Sequence, residues 1–178
     1  MKYLVLDLDN TIIYSNKKVL RSSKIVRDII LRPFLFDFLD TLKKYYILNI
    51  FTAGTKKYCE MVLKKIENKN LYFDKKLCCE ALDENGKKNL KKISENPHEI
   101  ILIDDNINYI DNEKNSIQIK PFFGETNDDT LLRLKKILIK IHGFNDTQKG
   151  ILEYKKRIIK INRYKPKQIK KNYKYNLK

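Results

Sequence analysis

The chain has 178 residues, 42% of them apolar, which suits one folded domain with a sizeable core. Its 38 Lys and Arg outnumber 22 Asp and Glu for a net charge of +16, a balance that favours acidic partners such as nucleic acid, phosphoprotein or an anionic surface. Three cysteines with one adjacent pair (Cys59, Cys78, Cys79) exclude a disulfide framework and indicate a reducing, intracellular compartment, cytoplasm or nucleus; His98 and His142 lack metal-ligand spacing to any of them, which argues against zinc, and no apolar run reaches the about 18 residues of a membrane span.

The first predicted element is a buried strand over residues 2–6, apolar with a β-branched residue and an aromatic. It ends on Asp7-Leu8-Asp9-Asn10-Thr11, where acids interrupt what a secretory signal would keep apolar. Residues 14–31 read as a short excursion, a small β-insert. Pro33 suits the first turn of a helix, and Phe34, Leu35, Phe38, Leu39 and Leu42 recur at helical spacing, so 33–45 is an amphipathic helix. A strand over 47–51 ends at Thr52-Ala53-Gly54-Thr55, and a helix covers about 56–67. Residues 68–87 are mixed, with a turn at 83–86, and a short helix is expected over 88–94. Residues 100–103 form a third buried strand ending on Asp104-Asp105, and 116–119 a fourth. Asp128 or Asp129 caps a last helix whose apolar face is Leu131, Leu132, Leu134, Ile137, Leu138 and Ile141.

Strands alternating with helices imply a parallel sheet with crossover helices. Ligands in such sheets bind outside the carboxyl ends of the strands. Those ends here are Asp7 and Asp9, Thr52, and Asp104 and Asp105, so three polar clusters converge on one edge. Residues i and i+2 of a strand point the same way, so Asp7 and Asp9 can share a face. Acids this close repel unless a proton or a cation lies between them, and a hard divalent cation such as Mg²⁺ suits carboxylate oxygens. A Gly-rich phosphate loop and a Ser/His pair are both missing. Carboxylates, a hydroxyl, a lysine and Mg²⁺ suit phosphoryl transfer with an Asp nucleophile and a second acid as proton donor.

These residues resemble the haloacid dehalogenase superfamily, and more narrowly the Fcp/Scp phosphatases, which act on the C-terminal domain of RNA polymerase II and on other phosphoproteins. The resemblance covers roughly residues 1–140. DLDNT at 7–11 is similar to the family's DLDET, and Leu31-Arg32-Pro33 with Phe36-Asp37-Phe38-Leu39 to its KRPxxxEFL. Phe51-Thr52-Ala53 resembles the second motif, Lys88-Asn89-Leu90 the KDL of the third, and Ile103-Asp104-Asp105 the fourth. The resemblance implies a HAD-like, Rossmann-like sheet flanked by helices, capless or with a very short β-insert. It implies Asp7 as nucleophile and Asp9 as general acid/base with its backbone carbonyl on Mg²⁺. Asp7 and Asp105 would ligate the metal, with Asp104 pairing with Lys88 and supporting it. Thr52 and Lys88 would hold phosphate oxygens, Thr11 would steady the nucleophile loop, and Lys76, three residues before Cys79, aligns with a substrate-side arginine of the family. The implied activity is a Mg²⁺-dependent Ser/Thr phosphoprotein phosphatase; a nucleic-acid end phosphatase and a non-catalytic phosphopeptide-binding scaffold are the alternatives.

We therefore divide the chain into a phosphatase-like domain, 1–145, and a basic extension, 146–178, part helical. The extension holds twelve Lys and Arg against two Asp and Glu, ten of the sixteen surplus positive charges. Ile151, Leu152, Ile158, Ile159 and Ile161 give it one amphipathic helix before Pro166. Beyond that, Lys and Tyr alternate without period, as in an electrostatic arm for nucleic acid or an acidic protein.

Overall fold

Three apolar runs and two short edge strands line up in parallel, because the segments between successive strands are long enough to cross back over the sheet. The structure is a computed structural model and describes residues 1–19, 25–110 and 112–163. After β1 (Tyr3–Leu6) comes an antiparallel hairpin, β2 (Ile13–Val19) and β3 (Ile25–Leu31). Helix α1 (Leu35–Leu42) leads to β4 (Ile47–Phe51), and α2 (Lys56–Ile66) to β5 (Lys76–Leu77). Then follow β6 (Ile100–Asp104), β7 (Ser116–Gln118), α3 (Thr130–His142) and α4 (Thr147–Arg163). The sheet order is β5-β4-β1-β6-β7, all parallel. The expected α/β sheet with a short β-insert is what the chain adopts. No helix among the described residues is long and apolar enough to cross a membrane.

Alternation along β1 sets the two faces. Leu4 and Leu6 enter the larger core with Leu48, Ile50, Ile101 and Ile103, against residues of α1, α2 and α3. Val5 enters a smaller core with Leu102, Leu90, Ile93 and Ile110. Leu6 lies level with Ile50 and Ile103, so Asp7 is next to Asp104 across the strand ends. By the same alternation both acids face the smaller core, and the segment covering that face begins with Lys88.

Four local readings change. Helix α1 is shorter than 33–45, because Phe34 takes a left-handed φ of 65° and the helix starts only beyond it. Residues 88–94 hold a 3₁₀ turn, Leu90–Lys92, and no α-helix; the Lys88 amide bonds the Tyr109 carbonyl and Asn89 caps the turn. The mixed stretch 68–87 contains β5, an edge strand of two residues, too short to show periodicity. At α3, Asp129 occupies the cap position but its side chain pairs with Arg133 instead of capping, while Asp128 accepts from the Thr130 amide and hydroxyl.

Arg32 explains what Asp128 does. Its side chain is fully buried and forks onto Asp128, with Nε to Oδ1 and Nη2 to Oδ2 both 2.9 Å. Nη1 donates to the Thr11 carbonyl at 2.8 Å and Nη2 to the Lys120 carbonyl at 2.9 Å. The guanidinium lies over the Phe122 ring. One planar cation thus ties the DLDNT loop, the 120–122 loop and the start of α3 together. The extension also enters the core. Thr147 is buried and donates to the Ile100 carbonyl, Ile151 is buried, and a side chain at Gly150 would collide with Ile141. Leu152 is half exposed. The side chains of Ile158, Ile159 and Ile161, and all of residues 164–178 with Pro166, lie outside the described residues.

Burial would raise the Asp128 carboxyl, but its bonds to Arg32 and Thr130 outweigh that and hold it below the usual range. A carboxyl lowered on folding stabilises above its unfolded pKa, about 3.9, and loses that contribution as pH falls through the folded value. Asp128→Asn should cost about 3–5 kcal/mol at neutral pH, as for removal of one partner of a buried pair. Thermal unfolding at pH 7 and pH 3 checks this: the difference between parent and mutant should shrink in acid.

Candidate active site

The site forms where the strands run out. Leu8, two residues past β1, has its carbonyl accepting from the amides of Thr11, Ile12 and Ile13, which winds the loop tightly. Asn10 sits at φ 58°, a conformation Asn tolerates better than most residues. Its side chain donates to the Phe122 carbonyl at 3.0 Å, and its own carbonyl accepts from the Phe122 amide at 2.7 Å. The turn carrying Asp9 is therefore held by two bonds to Phe122.

Lys88 is the centre of charge. It is completely buried, and Nζ donates to Asp7 Oδ1 at 2.6 Å and Asp104 Oδ2 at 2.7 Å. Asp104 also accepts from the Asn106 amide at 2.8 Å. Asp105 accepts from the Thr11 hydroxyl at 3.2 Å, and the Asp105 amide donates back to that oxygen at 3.1 Å. Carboxylate oxygens of Asp7, Asp104 and Asp105 all lie within 4.8 Å of one another. Thr52, buried just past β4, accepts from the Gly54 amide at 3.0 Å. The Tyr58 hydroxyl donates to Asp9 Oδ1.

Charge is out of balance here. Burial pushes the Asp7 carboxyl up to about 7, with Asp104 and Asp9 adding to it and Lys88 opposing. Burial also raises Asp105, again helped by Asp104. Burial would lower Lys88, but Asp7 and Asp104 more than offset it and keep it protonated. One ammonium does not neutralise the carboxylates gathered around it. The donor set is all carboxylate oxygen, which fits a hard divalent cation such as Mg²⁺. Asp7 and Asp105 are the residues that would hold it, with the Asp9 carbonyl, and Asp104 beside them.

The structure thus brings together Asp7, Asp104, Asp105, Lys88 and Thr11 by direct contact, with Asp9 and Thr52 on the same edge. Lys76 is not brought to the cluster. Its Nζ pairs with Glu67 Oε2 at 2.7 Å, at the C-terminal end of α2, which runs back from the strand ends. Thr52 does not cap α2; Thr55 does, accepting from the Tyr58 amide. Sequence reasoning missed Tyr58, Asn10 and the anchoring role of Arg32. For Tyr58 a signal exists: it lies in the first turn after a strand end, where α2 opens onto the site.

A parallel sheet with DxD at the end of its central strand, a hydroxyl beside it and a buried lysine between two acids defines a phosphatase-type α/β fold. The chain belongs to the NLI interacting factor-like phosphatase family, whose model matches residues 2–148. It is 31% identical over 169 residues to a C-terminal domain phosphatase of RNA polymerase II from Encephalitozoon cuniculi, covering 87% of this chain and 41% of that protein. It is 28% identical to the phosphatase PSR1 of Saccharomyces cerevisiae, covering 77% of this chain and 35% of that one. The chain spans less than half the length of these relatives. The fold is similar to fission yeast Fcp1, an RNA polymerase II C-terminal domain phosphatase solved with beryllium fluoride, with a TM-score of 0.55 at 19% identity over 90% of this chain and 56% of that one.

A raised carboxyl gives a definite sign for metal binding. Asp7 holds its proton in the folded state between about 3.9, its unfolded value, and about 7, so metal-free stability falls as pH rises through that window. A cation competes with those protons and restores what their loss removes. Mg²⁺ should therefore raise the unfolding temperature more at pH 8 than at pH 5.5, and Asp105→Asn should abolish most of the shift. Differential scanning fluorimetry with and without Mg²⁺ checks both.

Proposed function

We propose that the chain is a Mg²⁺-dependent phosphatase that hydrolyses phosphomonoesters through an aspartyl-phosphate on Asp7. The observation that carries this is Lys88 Nζ bonded at once to Asp7 and Asp104, with the Asp105 oxygen close by. Asp7 Oδ attacks phosphorus, the bond to the leaving oxygen breaks, and Asp9 gives that oxygen its proton. Water then attacks the aspartyl-phosphate, Asp9 takes the water's proton, and phosphate leaves with Asp7 regenerated. Lys88 and the Thr52 hydroxyl hold phosphoryl oxygens, and the Lys88 charge offsets the charge on them. A divalent cation held by Asp7 and Asp105 would supply further positive charge to offset that of the transferring group. Thr11 keeps Asp105 in place, and Arg32 keeps the Thr11 carbonyl in place.

The substrate we infer is a phosphorylated Ser or Thr in a protein or peptide. The insertion after the first motif is a two-stranded hairpin, too small to act as a cap domain, so the strand ends are open to a large substrate. Phe123, 59% exposed and edge-on to Tyr14, gives an apolar shelf beside the Phe122 that bonds Asn10. Relatives that are phosphatases of the polymerase C-terminal domain favour the same class. A reducing compartment, cytoplasm or nucleus, suits three free thiols. The intact Asp7, Asp9 and Lys88 weigh against a non-catalytic scaffold. A nucleic-acid end phosphatase is favoured by one observation, the twelve basic residues of 146–178, which suit a polyanion.

Release of phosphate from an aryl phosphate should require Mg²⁺ and vanish in Asp7→Asn. On a phosphoserine peptide, whose alkoxide needs the proton, Asp9→Asn should be slower by about 10²–10⁴-fold. Parallel assays on a phosphopeptide, a 5′-phosphorylated oligonucleotide and a small sugar phosphate separate the substrate classes; the phosphopeptide should be turned over fastest. No Mg²⁺-dependent release from any of them leaves only the scaffold.

A further inference from the structure

Asp9 is a short side chain on a loop, and proton transfer to a leaving oxygen demands a fixed direction. One contact that fixes it comes from outside the DLDNT loop. Tyr58 lies in the first turn of α2, half-buried, and its hydroxyl donates to Asp9 Oδ1. The helix that carries Tyr58 is capped by Thr55, directly after the Thr52 turn, so the ring is anchored to the phosphate-binding hydroxyl's own segment.

Gly54 shows that this placement is built in. Its backbone is not in the left-handed region, so conformation alone does not call for glycine. Space does: a Cβ there would stand 2.7 Å from Tyr58 Cδ1 and 3.3 Å from Thr52 Oγ1. The first distance is shorter than a van der Waals contact, and the ring would have to move. A bare Gly54 lets the tyrosine ring lie against the Thr52–Gly54 turn while its hydroxyl reaches Asp9.

We infer that Tyr58 is a positioning residue for Asp9, seated by Gly54, and that it aims the proton at the leaving oxygen. In this role it acts through the Asp9 carboxyl and is not itself a catalytic residue. The inference rests on the reading of Asp9 as general acid/base, and it predicts a dependence on leaving group. A good leaving group departs as a stable anion and has little need of the proton; the alkoxide of a serine needs it.

The test uses the full chain with Mg²⁺ and measures kcat/KM, which reports phosphoenzyme formation, on 2,4-dinitrophenyl phosphate and on a phosphoserine peptide. Tyr58→Phe should lose about tenfold or more on the peptide and change little on the aryl ester, a modest share of the acid–base effect. Asp9→Asn should show the pattern most strongly, and adding Tyr58→Phe to it should cost nothing further, because the two act as one unit. Circular dichroism and unfolding temperature confirm that Tyr58→Phe is folded. Equal losses on both substrates, or an additive double mutant, overturn the inference and leave the Asp9 assignment standing. If Asp9→Asn itself shows no leaving-group dependence, the acid/base assignment fails and the role of Tyr58 fails with it.

Discussion

The structure depends on the placement of one buried ammonium among carboxylates. Lys88 is fully enclosed, and without Asp7 and Asp104 its burial would cost several kcal/mol. Without Lys88, two acids side by side at the ends of neighbouring strands would repel in a place with little water to screen them. Neither partner is stable there alone, so each fixes the other. The pairing also joins strands β1 and β6 to the segment that covers the smaller core. Because the negative charge still exceeds what Lys88 supplies, the cluster is left suited to a divalent cation.

A second buried cation does a structural job a short way off. Arg32 uses its planar fork on Asp128 and its remaining donors on the Thr11 and Lys120 carbonyls. Lysine could not make those contacts together, since it has one nitrogen and no fixed plane. The consequence for function is indirect. The DLDNT loop is held by Arg32 at the Thr11 carbonyl and by Phe122 at Asn10, the two residues that follow Asp9. The two buried cations divide the work: Lys88 sets the charge of the site and Arg32 sets its shape.

Much of this was legible in the sequence because buried parallel strands leave continuous apolar runs and end on abrupt polar residues. Residues 100–103 followed by Asp104-Asp105, and 47–51 followed by Thr52, gave both the strands and the edge where they meet. The resemblance of Lys88-Asn89-Leu90 to the family's third motif singled out Lys88 from Lys87, Lys91 and Lys92. What stayed hidden depends on contacts between distant segments. No local pattern says that Lys76 turns to Glu67, that Asp128 holds Arg32 as well as the start of α3, or that Tyr58 reaches Asp9. Residues 88–94 misread as a helix because the Lys88 backbone bonds Tyr109, twenty-one residues away, and a tertiary bond overrode local propensity. β5 is only two residues long and carries no period to detect.

The claim at the centre is that Asp7, held against Lys88, becomes phosphorylated. The direct measurement is to mix the protein with Mg²⁺ and a phosphopeptide, quench in acid during turnover, digest at low pH and locate the phosphoryl group by mass spectrometry. A single acid-stable, base-labile acyl phosphate is expected, on the peptide that contains Asp7. Turnover with no phosphorylated carboxyl, or with the phosphoryl group on another residue, would contradict it.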